Sequence, residues 1–323
     1  MDKHHYVPKI YLRQFTKKLD GHFFGAGPKP DLLRTIKNRH IEEVCYLDNF
    51  YTLNKSESLK RYSLEDKNYI EKNAFNYEKS KIRQVFNKFK NKNVNLTRSY
   101  HEQLIDIYIS IKMRNVFIRK SYLDTGIMNQ TLDREVANFR VMKSWIESVS
   151  GENYDTLMNR AKETLLNDTE LHEEFQKQSI LETLRGTNVA VNSAKDKIQK
   201  LKLYILEPLD SKDYFLTSDN PGFTILGNKV YNTNFGKFDG IGFPINSKQL
   251  IWLSGKSDQS RLDILTRINY RKLTTKEVDR LNFCTTFNSY KYIYSESKKY
   301  LTDYVERYLA EHGSKQNIST VVD

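Results

Sequence analysis

Leu201-Lys202-Leu203-Tyr204-Ile205-Leu206 is where the chain changes its hydrophobic period. Upstream, apolar residues recur every three or four positions, the spacing of one face of a helix. From Leu201 onward they fall into short runs bounded by turn residues, which is the signature of strands. Helices first and strands afterwards make an α+β protein: a large helical subdomain packed with a C-terminal antiparallel or mixed sheet and an extended N-terminal segment.

Working back from that boundary, residues 60–200 carry five helical stripes. They are Ile70, Ala74, Tyr77, Ile82, Val85, Phe86 and Phe89; Tyr100, Leu104, Tyr108, Ile111 and Phe117; Leu132, Val136, Phe139 and Ile146; Tyr154, Leu157, Ala161 and Leu165; and Leu171, Phe175 and the run to Ile198, weakened at Gly186. Ser63 followed by Asp66 has the spacing of a capped start. All five stripes are expected to form the core of a helical bundle. Residues 1–60 read as extended pieces, with Gly21, Gly25, Gly27, Pro28 and Pro30 marking a hairpin or loop. Cys45-Tyr46-Leu47 and Phe50-Tyr51-Thr52-Leu53 follow as strand.

Working forward, strands are expected at Tyr214–Thr217, Gly222–Leu226, Gln249–Leu253 and Tyr290–Tyr294. A helix from about Thr275 to Phe287 interrupts them, and a last helix runs from about Ser297 to a stop near Gly313. Residues 314–323 form a polar tail. The expectation is one integrated domain over 1–313, with an N-terminal extended segment (1–60), a helical subdomain (60–200) and a sheet-containing subdomain (200–313).

The 323 residues carry a net charge of +12, and 21 Tyr and 17 Phe supply much of the buriable area. The charge favours polyanionic partners, RNA or DNA among them. Apolar runs such as Leu250–Leu253 are too short to span a bilayer, so no membrane is expected. No apolar stretch of a signal peptide follows Met1-Asp2-Lys3-His4-His5. Two cysteines without CxxC spacing fit a reducing cytoplasm and exclude a zinc-finger framework. The P-loop, GxGxxG, HExxH and GxSxG patterns are all missing.

Chemistry concentrates in two blocks. In His4-His5-Tyr6-Val7-Pro8, Pro8 pushes Val7 towards extended backbone, so the two imidazoles point to opposite sides. Either can move a proton or ligate a metal near neutral pH. In Thr217-Ser218-Asp219-Asn220-Pro221-Gly222, a plain turn explains the composition, and a strand-end carboxylate explains it equally well. His4, His5 and Asp219 are the catalytic candidates. Arg114, after the apolar run Ile107–Ile111, suits a bidentate phosphate contact, and Asn220 is a second substrate-binding candidate. Lys81 and Arg83 belong to the acid-free basic run Lys79–Arg98, which suits contacts to a phosphate backbone. Glu71 and Glu78, seven apart on one helix face, join His5 and Asp219 as candidate ligands of a divalent metal, the only cofactor considered.

The two blocks resemble domain-of-unknown-function family 4238. The likeness runs through His4-His5-Tyr6-Val7-Pro8, Tyr11-Leu12-Arg13, Phe15 and Thr217-Ser218-Asp219-Asn220-Pro221. Weaker matches lie at Ile70-Glu71 to Phe86, Lys112 to Arg114, and Leu281-Asn282. The resemblance covers most of the chain and implies a bacterial, cytoplasmic protein associated with mobile elements or defence. A weaker likeness joins His-His-x-x-Pro to the opening strand of HNH endonucleases, with Asn38 and His40 as the further metal-site candidates. The leading expectation is therefore a nuclease, as a defence or toxin effector, with a His/Asp site built from two distant regions. The alternative is a non-enzymatic sensor or binding module in a defence system, in which both blocks are structural and a partner protein is engaged.

Overall fold

The computed structural model describes residues 3–17, 20–29, 34–53, 66–90, 98–116, 127–232, 238–255 and 268–312. It is an α+β fold. The N-terminal segment opens with strand β1 (Lys3–His5) and a single helical turn, α1 (Lys9–Leu12), which tightens into a 3-10 turn at Arg13–Phe15. The glycine-marked region is a hairpin of β2 (His22–Ala26) and β3 (Ile36–His40). β4 (Tyr46–Asp48) returns antiparallel to β1, with His4 opposite Leu47 and His5 opposite Tyr46. Phe50–Leu53, expected as strand, is a turn instead. The Tyr51 N–H there donates to a side chain, His4, rather than to a strand ladder.

The helical region comprises α2 (Phe75–Lys90), α3 (Arg98–Met113), α4 (Ile127–Phe139), α5 (Lys143–Ser150), α6 (Tyr154–Asn167), α7 (Thr169–Leu184) and α8 (Val189–Ile198). Ile82, Val85, Phe86 and Phe89 of α2 pack with Leu104, Tyr108 and Ile111 of α3 in the main core. The third stripe does not join them: Leu132, Val136 and Ile146 are only half-buried, and Phe139 is exposed. Of the fourth, Tyr154 is buried and Ala161 is exposed. The helices α4, α5 and α6 find their principal contacts in one another, forming an arm. The Ser63 start, Phe117 and the 314–323 tail lie outside the described residues.

There are two larger sheets, one built from the C-terminal half and one shared between the two ends of the chain. The six-stranded sheet has the order β11-β5-β10-β9-β7-β8, antiparallel except for the parallel pair β11 (Asn269–Leu273) and β5 (Lys202–Pro208). Its other members are β10 (Gln249–Ser254), β9 (Gly240–Asn246), β7 (Phe223–Leu226) and β8 (Lys229–Tyr231). The central strand β9, Gly240-Ile241-Gly242-Phe243-Pro244-Ile245-Asn246, escapes propensity arguments because glycine and proline are poor strand formers. Here a Cβ at Gly240 would lie 2.3 Å from the Trp252 ring and one at Gly242 2.3 Å from the Phe223 ring. The glycines make room for aromatic rings laid across the strand.

The four-stranded antiparallel sheet, β3-β2-β12-β6, joins the N-terminal hairpin to β12 (Ile293–Ser295) and β6 (Thr217–Ser218). Helix α9 (Thr275–Asn288) starts at a capping box, Thr274 with Glu277, and α10 (Lys298–His312) covers this sheet with Leu301, Tyr304 and Val305. The N-terminal segment is wedged into the middle of everything. Tyr11 of α1 is fully buried, its ring stacked on Phe243 at 5.4 Å and packed edge-on to Phe86. Its hydroxyl donates to the Pro244 carbonyl at 2.8 Å and lies 2.9 Å from Thr217 Oγ1. Among the described residues no helix is long and apolar enough to cross a membrane.

Candidate functional site

The end of α3 and the two residues after it, Lys112-Met113-Arg114-Asn115, carry three polar side chains around one methionine, and all four residues are buried. A helix ends with unpaired carbonyls that attract cations and donors, and this end meets both signature blocks. Lys112 Nζ donates to Asn220 Oδ1 (3.0 Å), the Gly222 carbonyl (2.5 Å) and Asn232 Oδ1 (3.0 Å). Arg114 donates from Nη2 to the His5 carbonyl (3.0 Å), and Asn115 Nδ2 donates to the Asp219 carbonyl (2.8 Å). Gln176 of α7 closes the end by donating to the carbonyls of Met113 and Asn115, both at 3.1 Å. With all three ammonium protons taken by neutral acceptors, burial pushes the Lys112 amine well below its usual value.

The two histidines alternate in direction as β1 requires. His4 stacks on Tyr51 (5.7 Å, 15°), and its Nδ1 accepts the Tyr51 N–H at 2.9 Å. The Tyr51 hydroxyl in turn donates to the Arg114 carbonyl at 2.8 Å. His5 is buried between Tyr46 and Arg114, and its Nε2 has no hydrogen-bond partner among the described residues. Burial, with Lys9 nearby, pushes its imidazole down to about 4, so it is neutral at physiological pH.

Asp219 is the best-connected acid of the region. It is 1% exposed. Its Oδ1 accepts the Tyr290 N–H (2.8 Å), and its Oδ2 accepts those of Lys291 (2.7 Å) and Tyr292 (3.0 Å). Asp219 therefore fixes the backbone that leads from α9 into β12. Burial pushes its carboxyl up to about 6, although the three N–H donors and Lys29 pull the other way. Lys29 Nζ caps α9 by donating to the Thr286 (2.6 Å) and Phe287 (3.3 Å) carbonyls, and burial brings its amine down to about 8.

Asp219 also lines a cavity of about 490 Å³ between the β1–β4 ribbon and β12. Tyr6, Tyr46, Tyr290, Tyr292 and Tyr294 supply its aromatic walls, and Arg39 and Lys291 its cations. The Arg39 guanidinium lies 5.9 Å from the Tyr292 ring centre. Cys45 lies on the same wall, with a left-handed φ of 55° and its Sγ 3.7 Å from the Tyr294 hydroxyl. Burial and the nearby Asp219 hold this thiol well above its usual range, so it is protonated and a poor nucleophile.

Tyr6 of the first block and Asp219 of the second line the same cavity, and the neighbouring Arg114 and Asn115 donate to the His5 and Asp219 carbonyls, but neither His4 nor His5 lines that cavity. Arg114, expected to clamp phosphate, is spent on the His5 carbonyl. Asn220 is fully buried, donating to Asn232 Oδ1 (2.9 Å) and the Asn288 carbonyl (2.7 Å). Lys81 faces Asp106 at 4.0 Å, Arg83 is exposed on α2, and neither lines the cavity. Glu71 lies in the turn Ile70–Ala74 before α2, and the Glu78 side chain is outside the described residues. Among the described residues no three His, Cys, Asp or Glu side chains gather so as to hold a metal ion. Asn38 and His40 lie on a strand rather than the helix an HNH site needs, and His40 Nδ1 accepts the Glu42 N–H at 3.4 Å to cap a 3-10 turn.

A family model described as a protein of unknown function, DUF4238, matches residues 3–299. The chain belongs to the DUF4238 family. No curated protein and no solved structure matches it. In this DUF4238 chain the match includes both blocks and every residue of the cavity wall named above. The cavity residues not singled out from sequence are Tyr6, Arg39, Cys45 and the tyrosines of β12 and its approach. A signal was present for the last: Tyr290, Tyr292 and Tyr294 alternate, and alternation places side chains on one face of extended chain.

Proposed function

We propose that this protein is a binding module that takes a nucleotide, free or as an unstacked unit of a nucleic acid, in the tyrosine-walled cavity over Asp219. The observation that carries this reading is the wall itself: five tyrosines, two cations, the exposed carboxylate of Glu43 and the buried carboxyl of Asp219 around about 490 Å³. Aromatic rings stack on any base at roughly 1–3 kcal/mol each, and Arg39 and Lys291 suit a phosphate. The Asp219 carboxyl, buried behind the wall, holds the main chain of Tyr290, Lys291 and Tyr292 and so sets the direction of those side chains. His4, Arg114 and Asn220 support this wall as framework, each being engaged with main chain. Association with a bacterial defence system, cytoplasmic residence and a partner protein there are parts of the same proposal.

One observation favours the nuclease reading beside it. Asp219 stands in the cavity with its carboxyl pushed up to about 6, near the range in which a general base works at neutral pH. On that reading the cleavage rate climbs through pH 6 as Asp219 ionises.

Titration of fluorescein-labelled single-stranded RNA and DNA, and of free mononucleotides, with the purified protein tests both. Binding that weakens with salt and is lost in Arg39→Gln/Lys291→Gln supports the cavity, whereas binding indifferent to both substitutions removes it. Gel analysis of the same mixtures, with and without Mg²⁺ or Mn²⁺, decides the second reading. Intact oligonucleotide throughout leaves a binding module.

A further inference from the structure

We infer that the outer face of the α4–α6 arm is an interface with a second copy of this chain. Trp145 and Val149 lie four apart on α5 and so share one face, a ridge 61% and 68% exposed, and Val141, in the 3-10 turn Arg140–Met142 that leads into α5, is 90% exposed beside them in sequence. Phe139 and Met142 extend the ridge, also exposed. Five side chains of these types present on the order of 500 Å² per copy, the upper end of what a monomer shows in its largest patch. With their polar rim they approach the roughly 800 Å² per partner of a standard interface.

The charges nearest the ridge are paired. Arg140 pairs with Asp155 (2.8 Å), and Lys143 lies 3.9 Å from Asp155 and 3.8 Å from Glu147. Glu147 also accepts the Tyr154 N–H at 2.9 Å, at the start of α6. Ser144 and Ser148, both exposed, are the neutral side chains of α5 next to Trp145 and Val149. Residues 127–167 carry five basic and six acidic side chains, a net charge of −1, so the remaining chain carries +13 of the total +12. Two copies repel each other over most of their surfaces and can meet here without that cost. A polyanion or an acidic protein finds no cation on this ridge to hold. The surface that complements a neutral, apolar ridge is the same ridge on another copy, and antiparallel pairing about a two-fold axis sets Trp145 against Trp145 and Val141 against Val149.

Sedimentation equilibrium of the full-length chain over a range of concentrations, without ligand, tests this independently of the cavity. The wild type should be a dimer in reversible exchange with monomer. Trp145→Glu and Trp145→Lys each place like charges at the axis and should weaken association roughly thirty-fold or more, the loss expected of a central anchor. Mixed one to one, the two variants should associate more tightly than either alone. Since Trp145 is exposed, both should keep the wild-type circular dichroism and melting temperature. A wild type that stays monomeric at its highest soluble concentration overturns the proposal, as does a dimer that both substitutions leave unchanged.

Discussion

Burial and polarity are mismatched in two regions, in opposite senses. At the end of α3, Lys112, Arg114 and Asn115 are polar and buried; along α5 and the turn before it, Val141, Trp145 and Val149 are apolar and exposed. A buried polar group is costly unless its donors and acceptors are matched, and at the α3 end the Asp219 and His5 carbonyls and the Asn220 side chain supply part of that match. Such a hub holds chain segments in one arrangement. The exposed ridge makes no such demands and constrains nothing in its own copy. The first region is built for internal order and the second for an encounter, and substitutions in the two should behave accordingly.

The largest effect is expected at Asp219. Asp219→Ala leaves the N–H groups of Tyr290, Lys291 and Tyr292 without their acceptor, and each orphaned donor costs about 1–3 kcal/mol. The protein should lose on the order of 4 kcal/mol in urea unfolding. Asp219→Asn should also be destabilising, because an amide nitrogen must then face at least one N–H donor; a variant as stable as wild type breaks the comparison. His4→Ala removes one acceptor and the ring stacked on Tyr51, and about 2–3 kcal/mol should go with it.

Acidification sharpens the contrast further. His5 and His101 both have imidazoles pushed by burial from 6.5 to about 4. Between those values the unfolded chain binds protons that the folded chain excludes, so stability falls as pH drops from 6.5 towards 4. Asp219, raised from 3.8 to about 6, acts in the opposite sense, since the folded chain holds its proton through that window. Two histidines outweigh one acid, and the melting temperature should fall on acidification. Asp219→Asn should steepen that fall and His101→Gln should flatten it; a profile flat from pH 7 to 4 counts against the burial of these groups.

Smaller effects belong to the rim and the arm. Arg39→Gln/Lys291→Gln should move the unfolding midpoint by no more than about 0.5 kcal/mol while abolishing the salt-sensitive part of nucleotide binding. Trp145→Ala should change the stability of the monomer least, within about 0.5 kcal/mol, as measured at concentrations below association. A large loss there would mean that Trp145 supports its own chain.

Particular residues show how far the sequence could be read. The period change at Leu201 and the α9 helix from Thr275 follow from spacing and caps, which are local. That the region of Tyr6 and the Asp219 loop share a cavity goes with the two blocks singled out from sequence. The partners were not legible there. Asp219 accepts from three main-chain N–H groups, and a main-chain partner leaves no trace in residue identity. β9 was hidden because Gly240 and Gly242 are explained only by Trp252 and Phe223, which cross them. The stripe through Phe139 was misassigned because helical spacing marks an apolar face without saying whether its cover comes from the same chain.

The threading of the first residues has a consequence for how the molecule is made. Tyr11 bonds to Thr217 and Pro244, and β2 pairs with β12 at Ile293–Ser295. On a ribosome, the opening segment therefore emerges long before its docking partners exist and must wait, solvated or guarded by chaperones, for almost the whole chain to follow. A prematurely terminated product that stops before Tyr290 lacks a whole wall of the cavity, because Tyr290, Tyr292 and Tyr294 are the last wall to be added. Whatever this protein binds, only a finished chain can bind it there.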